Sequence, residues 1–94
     1  MEKTIIVLKA IADDTRLKIV KLLLKHNYCV GALARRLDLT DATISQHLKV
    51  LREAGLLIGE RRGYFMHYDV DGEQIRALAK EIEILAETER DWRR

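Results

Sequence analysis

Three residues, Asp38-Leu39-Thr40, separate the end of one helical apolar pattern from the start of the next, and this spacing constrains the fold most. Upstream, from Val30 to Leu37, Leu33, Ala34 and Leu37 face one way, and Arg35 and Arg36 the other. Downstream, from Asp41 to Ala54, Ile44, Leu48 and Leu51 recur at helical spacing and define an inward face. Thr40 is placed to cap this second helix, Asp41 suits the positive end of its dipole, and Gly55 stands where a left-handed C-terminal cap belongs. A hairpin signal follows. Leu56 to Glu60 reads as a strand, Arg61-Arg62-Gly63 as a turn, and Tyr64 to Val70 alternates as a second strand. Two helices joined by a three-residue turn and followed by a hairpin predict a winged helix-turn-helix, mainly α with one small β-hairpin.

The flanks read as helices. Residues 2–12 place Ile5, Leu8, Ile11 and Ala12 on one stripe, widened by Ile6 and Val7, which predicts a helix that buries two faces. Asp13 and Asp14 can cap a second helix that runs to about Lys25, with Leu17, Val20, Leu23 and Leu24 as its apolar side. His26, Asn27 and Tyr28 break the pattern. Asp71 opens the last helix, and Gln74 completes an Asp-x-x-Gln capping box. Its stripe comprises Ile75, Leu78, Ala79, Ile82, Leu85, Ala86 and Trp92. The 94 residues thus form one domain: helix-turn-helix about 30–54, wing about 56–70, C-terminal helix about 72–92. The last stripe and the surplus aliphatics of the first helix exceed what one small core covers. They predict a homodimer joined through the N- and C-terminal helices, by Ile5, Leu8, Ile75, Leu78, Ile82 and Leu85. The alternative is a last helix that folds back on its own domain.

Composition narrows the function. The absence of proline and the presence of only five glycines argue against a turn-rich all-β fold and against disorder. One cysteine excludes an intrachain disulfide framework and a four-cysteine zinc site within the chain. No apolar run approaches the roughly 20 residues of a membrane span, and MEKTIIVLKA lacks the pattern of a signal peptide, so a cytoplasmic chain with no membrane partner is expected. Residues 1–68 carry 12 Lys and Arg against 7 Asp and Glu, whereas residues 69–94 carry 5 against 8. A basic body suits a polyanion, although ordinary solvated surface would read the same way. No glycine-rich phosphate loop, activated nucleophile or close carboxylate pair is present, so no enzyme and no catalytic residue are expected.

With Ile44, Leu48 and Leu51 inward, the second helix of the motif turns Ala42, Ser45, Gln46 and Lys49 outward. Small polar side chains near a helix N-terminus suit insertion into the major groove of double-stranded DNA. Gln46 can read an adenine edge with paired donor and acceptor, and Ala42 can touch a thymine methyl. Ser45 can bond a base or a phosphate, and Thr40, Thr43 and Lys49 can bond phosphates. His47 lies between the faces and is either a phosphate contact or a half-buried packing residue. Arg61 and Arg62 at the hairpin tip can enter the minor groove or pair with phosphates; alternatively they are charges that protect a strand edge. Arg35 and Arg36 are further phosphate anchors. The competing class is a winged helix that binds protein, and its recognition face would be apolar.

The stretch Ala10 to Val70 resembles the ArsR/SmtB family of bacterial and archaeal repressors. The residues that carry the resemblance are Ala12-Asp13-Asp14-Thr15-Arg16-Leu17, Cys29-Val30, Leu33-Ala34, the run Leu39 to Leu56, and the wing from Arg61-Arg62-Gly63-Tyr64 into Tyr68. The resemblance implies a winged-helix dimer that leaves DNA on sensing a metal, a metalloid or an oxidant. Asp14 replaces the family's usual proline, and Asp38 its usual turn glycine. Where metal-type members carry Cys-Val-Cys, this chain has Cys29-Val30-Gly31, and its last helix has none of the histidines that other members use. The family's ligand sets are therefore incomplete, and no metal or other cofactor is assigned. Cys29 is the possible sensor. It could bind a soft metal or metalloid with His26, undergo oxidation that moves the motif, or simply pack as a small hydrophobe. His67, in the second strand, reads as structural. The expected function is a sequence-specific DNA-binding regulator, a homodimeric repressor released by an inducer. Alternatives are an activator, a regulator without metal or thiol sensing, and a protein-interaction module.

Overall fold

A computed structural model describes residues 2–91, which form helices α1 (Glu2–Ile11), α2 (Asp14–Lys25), α3 (Val30–Leu37) and α4 (Asp41–Glu53), strands β1 (Leu57–Arg62) and β2 (Phe65–Val70), and helix α5 (Gly72–Glu87). The architecture is a winged helix-turn-helix with a two-stranded antiparallel hairpin. Each boundary has a local cause. Asp13 is extended and accepts the Arg16 N–H at 3.0 Å, which starts α2. Asp38 ends α3 in the left-handed conformation (φ 56°, ψ 49°), so that the Leu39 N–H reaches back to the Ala34 carbonyl. For a non-glycine residue this costs on the order of 1 kcal/mol. Thr40 then accepts the Thr43 N–H at 3.1 Å and opens α4. Gly55 closes α4 at φ 85°, with its N–H on the Arg52 carbonyl and the Leu56 N–H on the Leu51 carbonyl.

The core is aliphatic, and α4 lies at its centre. Val7, Ile19, Leu33, Ile44, Leu48, Leu51 and Leu56 are each less than 2% exposed. α4 packs on α1, α2, α3 and β1, while α5 packs on α1 and β2 on α2. No polar or charged residue is buried among the described residues. β2 is pinned to the α2–α3 loop by Asn27, whose amide donates to the Tyr68 carbonyl at 2.9 Å and to the Asp69 carboxylate at 2.7 Å. His67 completes this clasp, its Nδ1–H donating to the Asn27 carbonyl at 3.1 Å. The radius of gyration, 16.1 Å, exceeds the roughly 12 Å of a compact chain of this length.

The apolar faces of the first two helices differ from the expected ones. In residues 2–12, Val7 and Ala10 are buried and Ile11 packs against the core, whereas Ile6, Ala12 and the two expected dimer residues Ile5 and Leu8 are exposed. In α2, the buried row is Ile19, Val20 and Leu23, and Leu17 and Leu24 point outward. Both sequences carry more aliphatics than one face holds, and contact with α4 selects among them. The hairpin is shifted by two residues: Arg62 pairs with Phe65, and only Gly63-Tyr64 forms the loop. Gly63 has φ 63° at the first loop position and Tyr64 has ordinary negative φ, the pattern of a type II′ turn. α5 ends at Glu87, five residues before the expected limit, where the Thr88 hydroxyl caps the Ile84 carbonyl. Trp92 lies outside the described residues. At the start of α5, Asp71 caps the Glu73 N–H rather than forming a reciprocal box with Gln74.

Candidate nucleic-acid interface

Ala42, Ser45, Gln46 and Lys49 are all exposed on α4, opposite the buried row Ile44, Leu48 and Leu51. The side chains of Ser45, Gln46 and Lys49 make no hydrogen bond or ion pair to other described residues. At the N-terminal end of the same helix the Thr40 hydroxyl accepts the Thr43 N–H and donates to Thr43 Oγ1 at 2.9 Å. The Thr43 hydroxyl proton is thereby left free for an external acceptor. A row of uncommitted donors and acceptors beside the open N–H groups of a helix start is a surface for a polyanion.

The wing arginines differ from one another. Both lie on β1 rather than in the turn, a correction to the expected placement. Arg62 is engaged within the chain, with Nε at 3.0 Å and Nη2 at 2.9 Å from the same Glu60 oxygen. Arg61 is exposed, and its side chain has no partner among the described residues. The tip itself is Tyr64, 95% exposed. Its place could have been read from Gly63, a residue suited to the first position of a two-residue loop. On α3, the Arg36 guanidinium lies over the Tyr28 ring, 4.4 Å from its centroid, and Arg35 is exposed.

His47 is half-buried, and its Nδ1 lies 3.4 Å from Nη1 of Arg16. Pattern reasoning missed Arg16, because 31 positions separate the two residues and no periodicity links them. Nearby, Asp13 is held below the usual carboxylate range, first by the Arg16 backbone N–H and then, against some desolvation, by the charges of Arg16 and His47.

Cys29 is partly exposed at the N-cap of α3, where its side chain makes no capping bond. It opens onto a cavity of about 520 Å³ between α3 and the wing, also lined by Arg35, Phe65 and Met66. His26 packs edge-on against Tyr28, with ring centroids 5.3 Å apart. Where a second thiolate would be needed, Gly31 has no side chain, and the Arg35 guanidinium lies 3.5 Å from the place of its missing Cβ. No cluster of three or more His, Cys, Asp or Glu side chains suited to a metal occurs among the described residues. A metal held at α3 does not fit this donor set.

Of the expected dimer residues, Ile5, Leu8, Ile82 and Leu85 are 45%, 39%, 49% and 68% exposed. Leu78, at 5%, belongs to the chain's own core and offers no free apolar surface, whereas Ile75 packs against that core and stays partly exposed.

Residues 13–58 match the family model described as bacterial regulatory protein, arsR family. The transcriptional activator HlyU of Vibrio cholerae is 35% identical over 83 residues, which cover 88% of this chain and 74% of that protein. The chain belongs to the ArsR family. It is accordingly a DNA-binding transcription regulator and not an enzyme. A second ArsR relative, the arsenical resistance operon repressor of Bacillus subtilis, is 35% identical over 74 residues, 78% of this chain and 70% of that protein. A homodimeric winged helix-turn-helix DNA-binding domain from Mycobacterium bovis, described as a possible ArsR-family transcriptional regulator, superposes with a TM-score of 0.74 at 29% identity, covering 90% of this chain and 79% of that one. ArsR relatives thus include a named activator as well as a named repressor. No helix among the described residues is long and apolar enough to cross a membrane.

Proposed function

We propose that this ArsR-family chain acts as a homodimeric operator-binding repressor, released when an inducer alters the spacing of its two recognition helices. The observation that carries this reading is the outward row of α4. Ala42, Ser45, Gln46 and Lys49 are exposed, and the three polar ones are uncommitted within the chain. In the proposed complex α4 enters the major groove, where Gln46 and Ser45 read base edges and Ala42 meets a thymine methyl. Thr40, Thr43, His47 and Lys49 hold phosphates, and the wing brings Arg61 to the adjoining minor groove or backbone. Arg62 must first leave Glu60 to do the same. The exposed Ile5, Leu8, Ile82 and Leu85 join two copies, placing the two α4 helices about one DNA turn (about 34 Å) apart. Cys29, the single thiol of the chain, is the group through which an oxidant would act.

Fluorescence anisotropy of the reduced protein with duplex from upstream of its own gene, beside a scrambled duplex, tests the reading. Preferential binding that weakens steeply with salt is expected. Equal binding to both duplexes would overturn it. In the same assay, an oxidant should release wild type and leave Cys29→Ser bound; equal release of both removes the thiol from the mechanism.

A further inference from the structure

We propose that Arg16 is a positioning residue for DNA recognition: it holds His47 of α4 in the tautomer that donates to a phosphate oxygen. This rests on the operator-binding reading above. Arg16 lies in the first turn of α2, and its guanidinium meets two other elements. Nε donates to the Ala10 carbonyl and Nη2 to the Lys9 carbonyl, 3.4 Å away, so the fork caps free carbonyls at the end of α1. These bonds fix the guanidinium plane and aim Nη1 at Nδ1 of His47.

A guanidinium has donors and no acceptor, so in this contact His47 Nδ1 must present its lone pair. The single proton of the neutral ring is then on Nε2. Nε2 has no hydrogen-bond partner among the described residues. His47 borders the outward row, directly after Gln46 and one turn beyond Thr43. A phosphate oxygen only accepts. The other neutral tautomer, with its proton on Nδ1, would present a lone pair to the phosphate and lose the Arg16 contact as well. Arg16 therefore acts on DNA through His47 and need not touch the duplex.

Two measurements test this. The first is the ring ¹⁵N spectrum of His47 above neutral pH, in wild type and in Arg16→Gln. Wild type should show the Nε2–H tautomer, and Arg16→Gln a mixture. The second is a double-variant cycle with Arg16→Gln and His47→Ala, read by anisotropy on the upstream and scrambled duplexes across a salt series. Each single change should weaken binding to the upstream duplex by about tenfold, the scale of one hydrogen bond to a charged group. The double variant should be no weaker than the weaker single. With the titrations run above neutral pH like the ¹⁵N spectra, the salt slope should stay constant, because an uncharged donor displaces no counterion.

Three results would overturn the proposal: an unchanged His47 tautomer in Arg16→Gln, penalties that multiply in the cycle, or a salt slope reduced by about one in Arg16→Gln, which would put Arg16 itself on a phosphate. Should Arg16→Gln fail to fold, His47→Gln and His47→Asn decide. Glutamine places an N–H near Nε2 and should bind within about twofold of wild type, whereas asparagine mimics Nδ1 and should bind as weakly as alanine. The reverse order rejects the proposal. A wild type that prefers neither duplex overturns the operator reading itself, a result distinct from multiplied penalties on a wild type that discriminates.

Discussion

Helices α4 and α5 are both amphipathic, yet they complete their faces differently. α4 buries Ile44, Leu48 and Leu51 wholly within the chain and leaves a polar row outside. α5 buries Leu78 alone, and Ile82, Ile84 and Leu85 remain about half exposed or more. A helix that closes its apolar face at home can spend its other face on a ligand. One that leaves apolar groups in water has a second partner still to meet. On the proposed homodimer reading, the difference separates what one chain does from what two chains do.

The comparison breaks first at the core. Leu48→Ala removes a side chain that is 1% exposed, and should cost about 2–5 kcal/mol in denaturant unfolding. That loss should not depend on protein concentration, while a dimer joined through α5 has a concentration-dependent melting temperature. Next comes the double change Ile82→Glu with Leu85→Glu, which should leave each chain folded by circular dichroism but monomeric in sedimentation. Operator affinity should fall by about a hundredfold or more, because two half-sites no longer act together. A dimer that survives would move the interface elsewhere.

The polar face of α4 answers smaller changes. Gln46→Ala should cost about 1–3 kcal/mol of discrimination at a single base pair and little on scrambled DNA, read by a panel of single-position duplexes. On the wing, Arg61→Ala should lower the salt slope by about one, whereas Arg62→Ala, already paired with Glu60, should change it less. Equal slopes would mean that the Glu60 pair opens on DNA.

The smallest effect concerns acid. The folded Asp13 carboxyl titrates below its ordinary value of 3.8. Its contribution to stability is therefore complete above that pH and disappears as pH falls through the lower folded value. Asp13→Asn should flatten this part of the acid-unfolding curve and leave stability at neutral pH with little remaining pH dependence from the site.

Much of this was legible in sequence because local chemistry decided it. Thr40, Asp38 and Gly55 set the ends of α3 and α4 through their own side chains or φ angles, and the outward row of α4 followed from the inward one. α1 and α2 were harder. Each carries aliphatics around more than one face, so burial depended on where α4 lies, which no window of neighbouring residues records. The same reason hid the Arg16–His47 contact. It also moved Leu78 from the expected dimer face into the chain's own core. The arginines slid from turn to strand because Gly63 supplies the positive φ that starts a two-residue loop.

The Asn27 clasp gives the wing a mechanical property. It fastens β2 at His67, Tyr68 and Asp69, while the loop at Gly63-Tyr64 is solvent-exposed. The hairpin beyond His67 is thus a cantilever four residues long, or about 13 Å at strand rise. Rotating it by about 10° at its root carries the Tyr64 tip about 2 Å. A small tilt of the α2–α3 loop is thereby felt most at the Tyr64 tip and far less at Arg61, which sits opposite Met66 near the fastened root.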